Sequence, residues 1–236
     1  MKAHNKTAVV AGVGPGLGAA LVRKLAREGC RVAMFARSRA YLEEIVDENR
    51  ESQLLAVPTD ISDIDQVKRG FARVRKEFGP VDILINHASA SAWSGMSKMT
   101  SEKFERAWRV TTFGAFLCCQ EATRDMIARK SGTILFTGAT SSIRGRKGAL
   151  DFSSAKFALR GLADSLAREL WPQNIHVAHI IIDGVINRSD ERKKRSATPM
   201  LEPDDIAETY WTLVEQKRSA WTFELEVRPS GEDFFS

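Results

Sequence analysis

A phenylalanine stands four residues before a lysine near the start of one amphipathic segment, ALDFSSAKFALRGLADSLAREL at 149–170. Residues four apart lie on the same face of a helix, so Phe152 and Lys156 are expected to face one site. A tyrosine in the first position could exchange a proton beside the lysine cation, whereas a phenylalanine has the same ring and no proton to give. The pair therefore raises the question of whether this chain performs proton-coupled chemistry.

A second group of residues with chemical potential is the glycine-rich stretch VVAGVGPGLGAAL. Gly12, Gly16 and Gly18 have the spacing GxxxGxG, and Gly14 adds a fourth glycine. Glycine permits positive φ and a close backbone approach, and the N–H groups that open the following helix attract a diphosphate. Because the stretch lies between a predicted strand and a predicted helix, it indicates a dinucleotide site. The alternative is a tight turn that binds no ligand.

The end of the second predicted strand distinguishes between two dinucleotides. A carboxylate at this place usually binds the free 2′-hydroxyl of NAD(H). Here the strand ends in FARSRA, with Arg37 and Arg39 and no acid. Because a guanidinium suits a 2′-phosphate, Arg37 predicts a preference for NADP(H), with NAD(H) as the second choice. The alternative is that Arg37 is a solvated surface charge.

Short apolar segments alternate with amphipathic ones along the whole chain. Leu17, Leu21 and Leu25 recur at every fourth residue, and Gly29 is placed to end their helix. The alternation predicts an α/β fold, a single doubly wound Rossmann-like domain over residues 1–236 with about seven parallel strands and helices on both faces. Six of the strands are expected to be buried on both faces. The predicted strands are 7–12, 31–36, 54–60, 82–87, 133–138, 176–182 and 221–227.

Composition narrows the class of protein. The chain has 236 residues, of which 43% are hydrophobic, and a net charge of +5. Its three cysteines show no metal or redox spacing, which favours reduced core side chains and no metal site. MKAHNKTAVVAG lacks the apolar run of a secretory signal, and no run is long enough to span a bilayer. We therefore expect a cytoplasmic protein without a membrane partner.

The order of these features resembles the short-chain dehydrogenase/reductase family, in its single-domain branch, from Thr7 to about Pro229. AGVGPGLG is similar to the family's TGxxxGxG turn, with Ala11 in place of the threonine. PTDISD is similar to the end of the family's third strand, and VDILINHAS is similar to its VDxLVNNAG element. IDGVINR takes the place of its PGxxxT loop.

Several positions within these motifs depart from the family's pattern. His87 and Ser89 replace Asn and Gly of VDxLVNNAG, while Asp183 replaces the proline and Arg188 the threonine of PGxxxT. Most of the cofactor positions are nevertheless kept. The resemblance implies a cofactor site formed by Gly12, Gly14, Pro15, Gly16, Leu17, Gly18, Arg37, Asp60, Ile61, Asn86, Ala88, Lys156, Gly184 and Val185.

The family's catalytic set is Asn, Ser, Tyr and Lys, and only the lysine is kept. The matching positions hold Thr111, Ala139, Phe152 and Lys156, a pattern that resembles a subgroup with Phe in place of Tyr. In the family the lysine holds the nicotinamide ribose and lowers the pKa of the tyrosine. Removing a positioned general acid typically costs ~10²–10⁴-fold in rate. The resemblance therefore implies that the cofactor site is intact and that the proton-transfer site is rebuilt or absent.

Other groups could replace the missing proton donor. The hydroxyls nearest in sequence to Ala139 are those of Thr140, Ser141 and Ser142. Further candidates are Asp151, Ser153 and His87. The alternative to an acid–base function for His87 is a packed neutral side chain. Tyr41 and Tyr210 are the only tyrosines, and neither is expected at the nicotinamide.

The resemblance also implies a mobile substrate lid at about 187–203 and assembly into a homodimer or homotetramer. The lid contains a basic run, Arg192, Lys193, Lys194 and Arg195. This run is either a solvated loop or a contact for an anionic substrate such as a phosphate or acyl thioester. No aromatic residues interleave with it, so no nucleic-acid partner is expected.

Two functions from different classes follow. The first is an NADP(H)-dependent oxidoreductase with an atypical active site, acting on a small carbonyl, alcohol or activated alkene. The second is a catalytically silent nucleotide-binding sensor or partner subunit. A third and weaker hypothesis, an RNA-binding basic domain, would require a steep salt dependence of binding.

Overall fold

A computed structural model describes residues 5–187 and 199–231 of the chain. Seven parallel strands form one sheet in the order β3-β2-β1-β4-β5-β6-β9. The order reverses direction at β1, so the carboxyl ends of β1 and β4 flank the crevice where such sheets bind ligands. The sheet strands are β1 Thr7–Ala11, β2 Arg31–Ala36, β3 Leu54–Pro58, β4 Ile83–Asn86, β5 Gly132–Thr137, β6 Ile175–Ile182 and β9 Glu224–Val227.

Helices cover both faces of this sheet, as the alternating sequence pattern predicted. One face packs against α1, α2 and α7, and the other packs against α3, α5 and α6. The helices are α1 Leu17–Arg27, α2 Arg39–Glu48, α3 Ile64–Phe78, α4 Ser101–Trp108, α5 Gly114–Arg129, α6 Leu150–Leu170 and α7 Pro203–Glu215. Gly29 follows α1 with a φ of 83°, which confirms its predicted place at the end of that helix.

The central strands form the core. All residues of β1, β4 and β6 are buried, because parallel strands between two helical layers have no face open to water. Each fully buried valine or leucine contributes about 1.5–3 kcal/mol relative to an exposed position. The expectation that six strands would be buried was wrong for one of them. At the sheet edge β3 buries only Val57, since an edge strand lacks a neighbour on one side.

Two local features near the crevice were not predicted from the sequence. A π-helical turn, Arg109–Phe113, joins α4 to α5 without a break. Two short strands, β7 Val185–Ile186 and β8 Met200–Leu201, pair at the base of the predicted lid. Of the helices in the described part of the chain, none is both long and apolar enough to cross a bilayer.

Candidate functional site

The glycine turn after β1 is shaped by the backbone of the neighbouring strand. Gly12 and Val13 each donate a backbone hydrogen bond to the Phe35 carbonyl of β2, at 2.9 and 3.0 Å. Gly12 has a φ of 106°, and a Cβ atom there would lie 2.4 Å from the backbone nitrogen of Ala88. Only glycine satisfies both conditions, so this residue lets the ends of β1 and β4 come together.

The start of α1 directly follows the glycine turn. Gly16 precedes the helix with a φ of 96°, and no side chain caps the first-turn N–H groups. Leu17 and Gly18 are buried in that turn, and Gly18 packs against the Gly12 carbonyl oxygen. An uncapped helix N-terminus behind a glycine turn is a binding site for a phosphate group.

A cavity of about 1020 Å³ extends from the glycine turn across the carboxyl ends of β2, β3 and β4. It is large enough for a nucleotide cofactor. It includes seven of the predicted cofactor residues, namely Gly12, Gly14, Pro15, Arg37, Asp60, Ile61 and Ala88. The other seven predicted cofactor residues do not line this cavity. They lie at the start of α1, at the end of β4, on α6 and after β6, and are Gly16, Leu17, Gly18, Asn86, Lys156, Gly184 and Val185.

Arg37 and Asp60 lie at the β2–β3 end of the cavity. The Arg37 side chain is exposed and has no ion-pair partner within residues 5–187 and 199–231. Asp60 turns its carboxylate toward its own loop, where Oδ1 accepts hydrogen bonds from the Ser62 nitrogen at 3.0 Å and the Ser62 hydroxyl at 2.7 Å. The cavity therefore presents an unpaired guanidinium at this end, beside a carboxylate that is bound to its own loop through one oxygen.

Lys156 is buried at the carboxyl edge of the sheet, next to the end of β5, with 2% of its surface exposed. Its Nζ donates a 2.6 Å hydrogen bond to the Thr137 carbonyl at the end of β5 and lies 5.5 Å from the centre of the Phe152 ring. No carboxylate of the described residues pairs with it. Burial lowers its pKa from 10.5 to about 8. Phe152 and Lys156 thus share one helix face, as their spacing predicted.

A buried chain of polar groups runs beside Lys156. The His87 Nδ1 lies 3.1 Å from the Thr137 hydroxyl, which lies 2.7 Å from the Tyr210 hydroxyl. Burial and then the nearby Lys156 charge lower the pKa of His87 to about 4. Burial raises the pKa of Tyr210. At neutral pH, His87 is therefore neutral and Tyr210 protonated. The Thr137 hydroxyl therefore bridges Tyr210 and His87, an arrangement that was not predicted from the sequence.

Two of the three hydroxyls beside Ala139 are hydrogen-bonded inside the protein. The Thr140 hydroxyl donates to the carboxylate of Asp183 at the end of β6, and that carboxylate is also paired with Arg228. The Ser142 hydroxyl accepts from the Ala139 nitrogen at 3.1 Å. Ser141 is buried in the same short turn. Asp183 and Arg228 thus form an ion pair next to the predicted reaction site.

Thr111 and Asn86 hold the loops around β4. Thr111 lies in the π-helical turn, and its hydroxyl accepts from the Ala90 nitrogen at 3.2 Å. The Asn86 side-chain nitrogen donates to the Cys119 sulfur at 3.3 Å, while its buried oxygen lacks a partner in the described chain. Both residues are buried, so neither is positioned as an open proton donor.

Two of the alternative proton donors instead tie loops to the first turn of α6. Asp151 is fully buried, and its Oδ2 accepts from the Ala92 nitrogen at 2.6 Å. The Ser153 hydroxyl accepts from the Arg146 nitrogen at 3.3 Å. These bonds give both side chains a positioning function.

The segment after β6 is described only at its two ends. Gly184 has a φ of 152°, and a Cβ atom there would lie 2.8 Å from the Pro229 ring, while Val185 is half exposed. Arg188 and the basic run 192–195 lie outside the described residues. No group of three or more His, Cys, Asp or Glu suited to a metal ion occurs among the residues that are described.

Comparison with known proteins identifies the family. A model described as short chain dehydrogenase matches residues 6–199. The chain belongs to the short-chain dehydrogenase family. It is 31% identical over 198 residues to the 3-oxoacyl-(acyl-carrier-protein) reductase MabA of Mycobacterium tuberculosis, covering 82% of this chain and 76% of that protein.

Solved structures share the architecture over nearly the whole chain. A short-chain dehydrogenase from Rhodopseudomonas palustris is 35% identical, with a TM-score of 0.83, covering 96% of this chain and 99% of that one. A metagenomic short-chain oxidoreductase crystallised in complex with NADP is 25% identical, with a TM-score of 0.86, covering 98% and 100%. The short-chain dehydrogenase fold predicted from the sequence is therefore confirmed.

Proposed function

We propose that this chain is an NADP(H)-dependent oxidoreductase whose proton-transfer site differs from that of its family. The observation that supports this most strongly is the buried Lys156 amine beside Phe152, at the same edge of the sheet as the cavity lined by the glycine turn and Arg37. The complex of a structural relative with NADP favours the same cofactor. NAD(H) would bind less tightly, since it lacks the 2′-phosphate that Arg37 would bind.

The residues present fit such a cofactor. The open space beside Gly14, where an added Cβ atom would meet no atom within 4 Å, and the uncapped amides of α1 suit a diphosphate. Arg37 would hold the 2′-phosphate, and Lys156 the nicotinamide ribose. Asp60, Ile61 and Ala88 would line the nucleotide between them. When bound, the cofactor supplies or accepts a hydride, which requires close, oriented approach but no protein proton donor.

The proton would then have to come from a group other than residue 152. Lys156, with a pKa of about 8, is largely an ammonium at neutral pH and can release a proton to a water molecule or a substrate oxygen. The Thr140 hydroxyl already donates to Asp183, so it would need to break that bond to serve the substrate. Ser141 remains the second hydroxyl candidate. The substrates proposed are a carbonyl, alcohol or activated alkene, including anionic ones.

A substrate panel tests this function. Purified protein saturated with NADPH would be mixed with aldehydes, ketones and activated alkenes, and with alcohols after loading with NADP⁺, while cofactor absorbance is followed. We expect slow turnover of at least one class, abolished in Lys156→Met. A protein that binds NADPH tightly but turns over no compound would contradict the proposal.

A second candidate function is a silent nucleotide-binding sensor or partner subunit. It is favoured by the residues at three catalytic positions, because Thr111 is tied to Ala90 and neither Ala139 nor Phe152 carries a titratable group. This function predicts tight cofactor binding with no turnover in the panel.

We also propose that the chain, with residues 1–236 as one domain and a lid at about 187–203, assembles as a homodimer or homotetramer. Large apolar side chains on α4, α5 and α6 are exposed, among them Phe104, Trp108, Phe116 and Phe157. Exposed large apolar side chains grouped on neighbouring helices often mark an interface. Sedimentation should show a dimer or larger species, and Phe116→Glu with Phe157→Glu should give monomers.

A further inference from the structure

Trp93, in the loop after β4, has an unusual backbone conformation for a large residue. Its φ is 47°, in the left-handed region, and 51% of its surface is exposed. A tryptophan has no steric advantage at such a position, where glycine or asparagine is common. Strain of this kind persists where the surrounding structure enforces it, and it tends to accompany a binding function. The contacts of the indole show what that function requires.

The Trp93 indole forms the middle of a stack of side chains. Its ring centre lies 5.6 Å from that of Phe152, with a 30° tilt between the planes. The Arg146 guanidinium lies 5.5 Å from the indole centre, and the Lys156 amine lies 5.5 Å from the Phe152 ring centre. These distances are within the range of cation–π attraction. The stack therefore connects the predicted reaction site at Lys156 to an exposed guanidinium.

The first turn of α6 fixes both loops that contribute to the stack. Asp151 accepts from the Ala92 nitrogen, next to Trp93, and Ser153 accepts from the Arg146 nitrogen. These two residues flank Phe152 in the sequence. One helical turn therefore sets the positions of the indole, the guanidinium and the phenyl ring relative to one another.

The guanidinium at the outer end of the stack is available to a ligand. Arg146 is exposed, and no carboxylate of the described residues pairs with it. Its stacking on Trp93 occupies one face of the guanidinium and leaves its N–H groups free to form a bidentate bond with a carboxylate. An unpaired cation next to aromatic rings favours a ligand that carries an anion on a flat ring.

We propose that Trp93 and Arg146 determine substrate specificity, selecting planar conjugated carbonyl compounds that carry a carboxylate. The ring of the substrate would lie against the Trp93–Phe152 edge, its carboxylate would pair with Arg146, and its carbonyl group would point toward Lys156. This inference rests on the proposed oxidoreductase function for the orientation of the carbonyl. The binding preference itself is independent of turnover.

Calorimetric titration with three aldehydes tests the preference. The probes are para-carboxybenzaldehyde, benzaldehyde and the saturated para-formylcyclohexane carboxylate, each added with and without NADP⁺, which cannot reduce them. We expect the first probe to bind about tenfold or more tightly than either of the others, because each lacks one of the two contacts. Equal affinities for the three probes, or no measurable binding of any, would overturn the proposal.

Two variants and a matched control identify the residues responsible. Arg146→Gln should remove the preference for the carboxylate, and Trp93→Leu should remove the preference for the planar ring. Lys147→Gln makes the same change of charge at the next residue, which is exposed, and should leave both preferences in place. An equal effect of Arg146→Gln and Lys147→Gln would show a general charge effect and overturn the assignment. Selective binding without reduction by NADPH would support the specificity site while contradicting the oxidoreductase function.

Discussion

The two ends of the site, along the carboxyl edge of the sheet, depend on different features of the sequence. The cofactor end, formed after β1, β2 and β3, depends on backbone geometry: Gly12 and Gly16 at positive φ and the uncapped start of α1. The reaction end, formed after β5, β6 and the start of α6, depends on side chains. There the side chains of Ala139 and Phe152 have no proton to transfer. The Asp183 carboxylate accepts a hydrogen bond from the Thr140 hydroxyl.

This contrast indicates which half of the protein is under the tighter physical constraint. A cofactor cradle tolerates few substitutions, because an added Cβ atom at Gly12 would overlap backbone atoms. The reaction end tolerates replacement of its chemical groups, since Phe152 fills the space of a tyrosine and Lys156 is satisfied by the Thr137 carbonyl. Binding can therefore persist while the chemistry changes.

The largest expected effect comes from restoring the proton groups. In the double variant Phe152→Tyr with Ala139→Ser, a tyrosine hydroxyl would stand near the Lys156 ammonium. We expect reduction of simple carbonyl compounds by NADPH to rise by ~10²–10⁴-fold. The matched control is Phe157→Tyr, which adds the same hydroxyl to an exposed residue outside the reaction end and should not raise the rate of reduction. A restored variant with no gain in rate would mean that the reaction end no longer admits such substrates.

A single methyl group added at Gly12 is expected to abolish cofactor binding. Gly12→Ala places a Cβ atom 2.4 Å from the Ala88 nitrogen at a φ of 106°. We expect a loss of about 2–4 kcal/mol in the free energy of unfolding, together with the loss of NADPH binding. Gly161→Ala on α6 serves as the control, because an added Cβ there meets no atom within 4 Å and the position lies outside the cofactor end. Denaturation and calorimetry should separate the two variants, and equal behaviour would refute the steric account.

Lys156 gives the reaction end a pH-dependent stability. Its pKa is about 8 in the folded protein and 10.5 ordinarily, so the unfolded chain binds more protons between these values. The wild-type protein should therefore gain up to about 3 kcal/mol of stability relative to Lys156→Met as pH rises from 7 to 10.5. Urea denaturation at several pH values measures the difference. A difference that stays constant with pH would show that Lys156 is not desolvated.

Substitution of Arg37 tests whether the cofactor end binds a 2′-phosphate. Replacing it with aspartate removes the cation and adds a carboxylate near the expected 2′-phosphate. NADPH affinity should fall by about 100-fold more than NADH affinity, in line with the strength of charge-assisted hydrogen bonds. Arg39→Gln is the control, since Arg39 pairs with Glu43 on α2. Equal losses for the two cofactors would remove Arg37 from the phosphate site.

The sequence predicted the strands and the glycine turn well because their signals are local. An apolar run such as TAVVA and a glycine before a helix need no knowledge of distant residues. The Asp183–Thr140 pair was not predictable, because its partners are 43 residues apart and meet only after β5 and β6 pair. The Trp93 stack likewise joins three separate segments. The π-helical turn at Arg109–Phe113 follows from packing and leaves no mark in residue type.

Calorimetric titration of the wild-type protein with NADPH and with NADH tests the central claim most directly. The account predicts binding of one NADPH per chain, with NADH bound more weakly, because the cofactor end is complete even though the reaction end is altered. Failure to bind either dinucleotide would contradict it, since the cradle at Gly12, the amides of α1 and the Arg37 cation would then be present without their ligand.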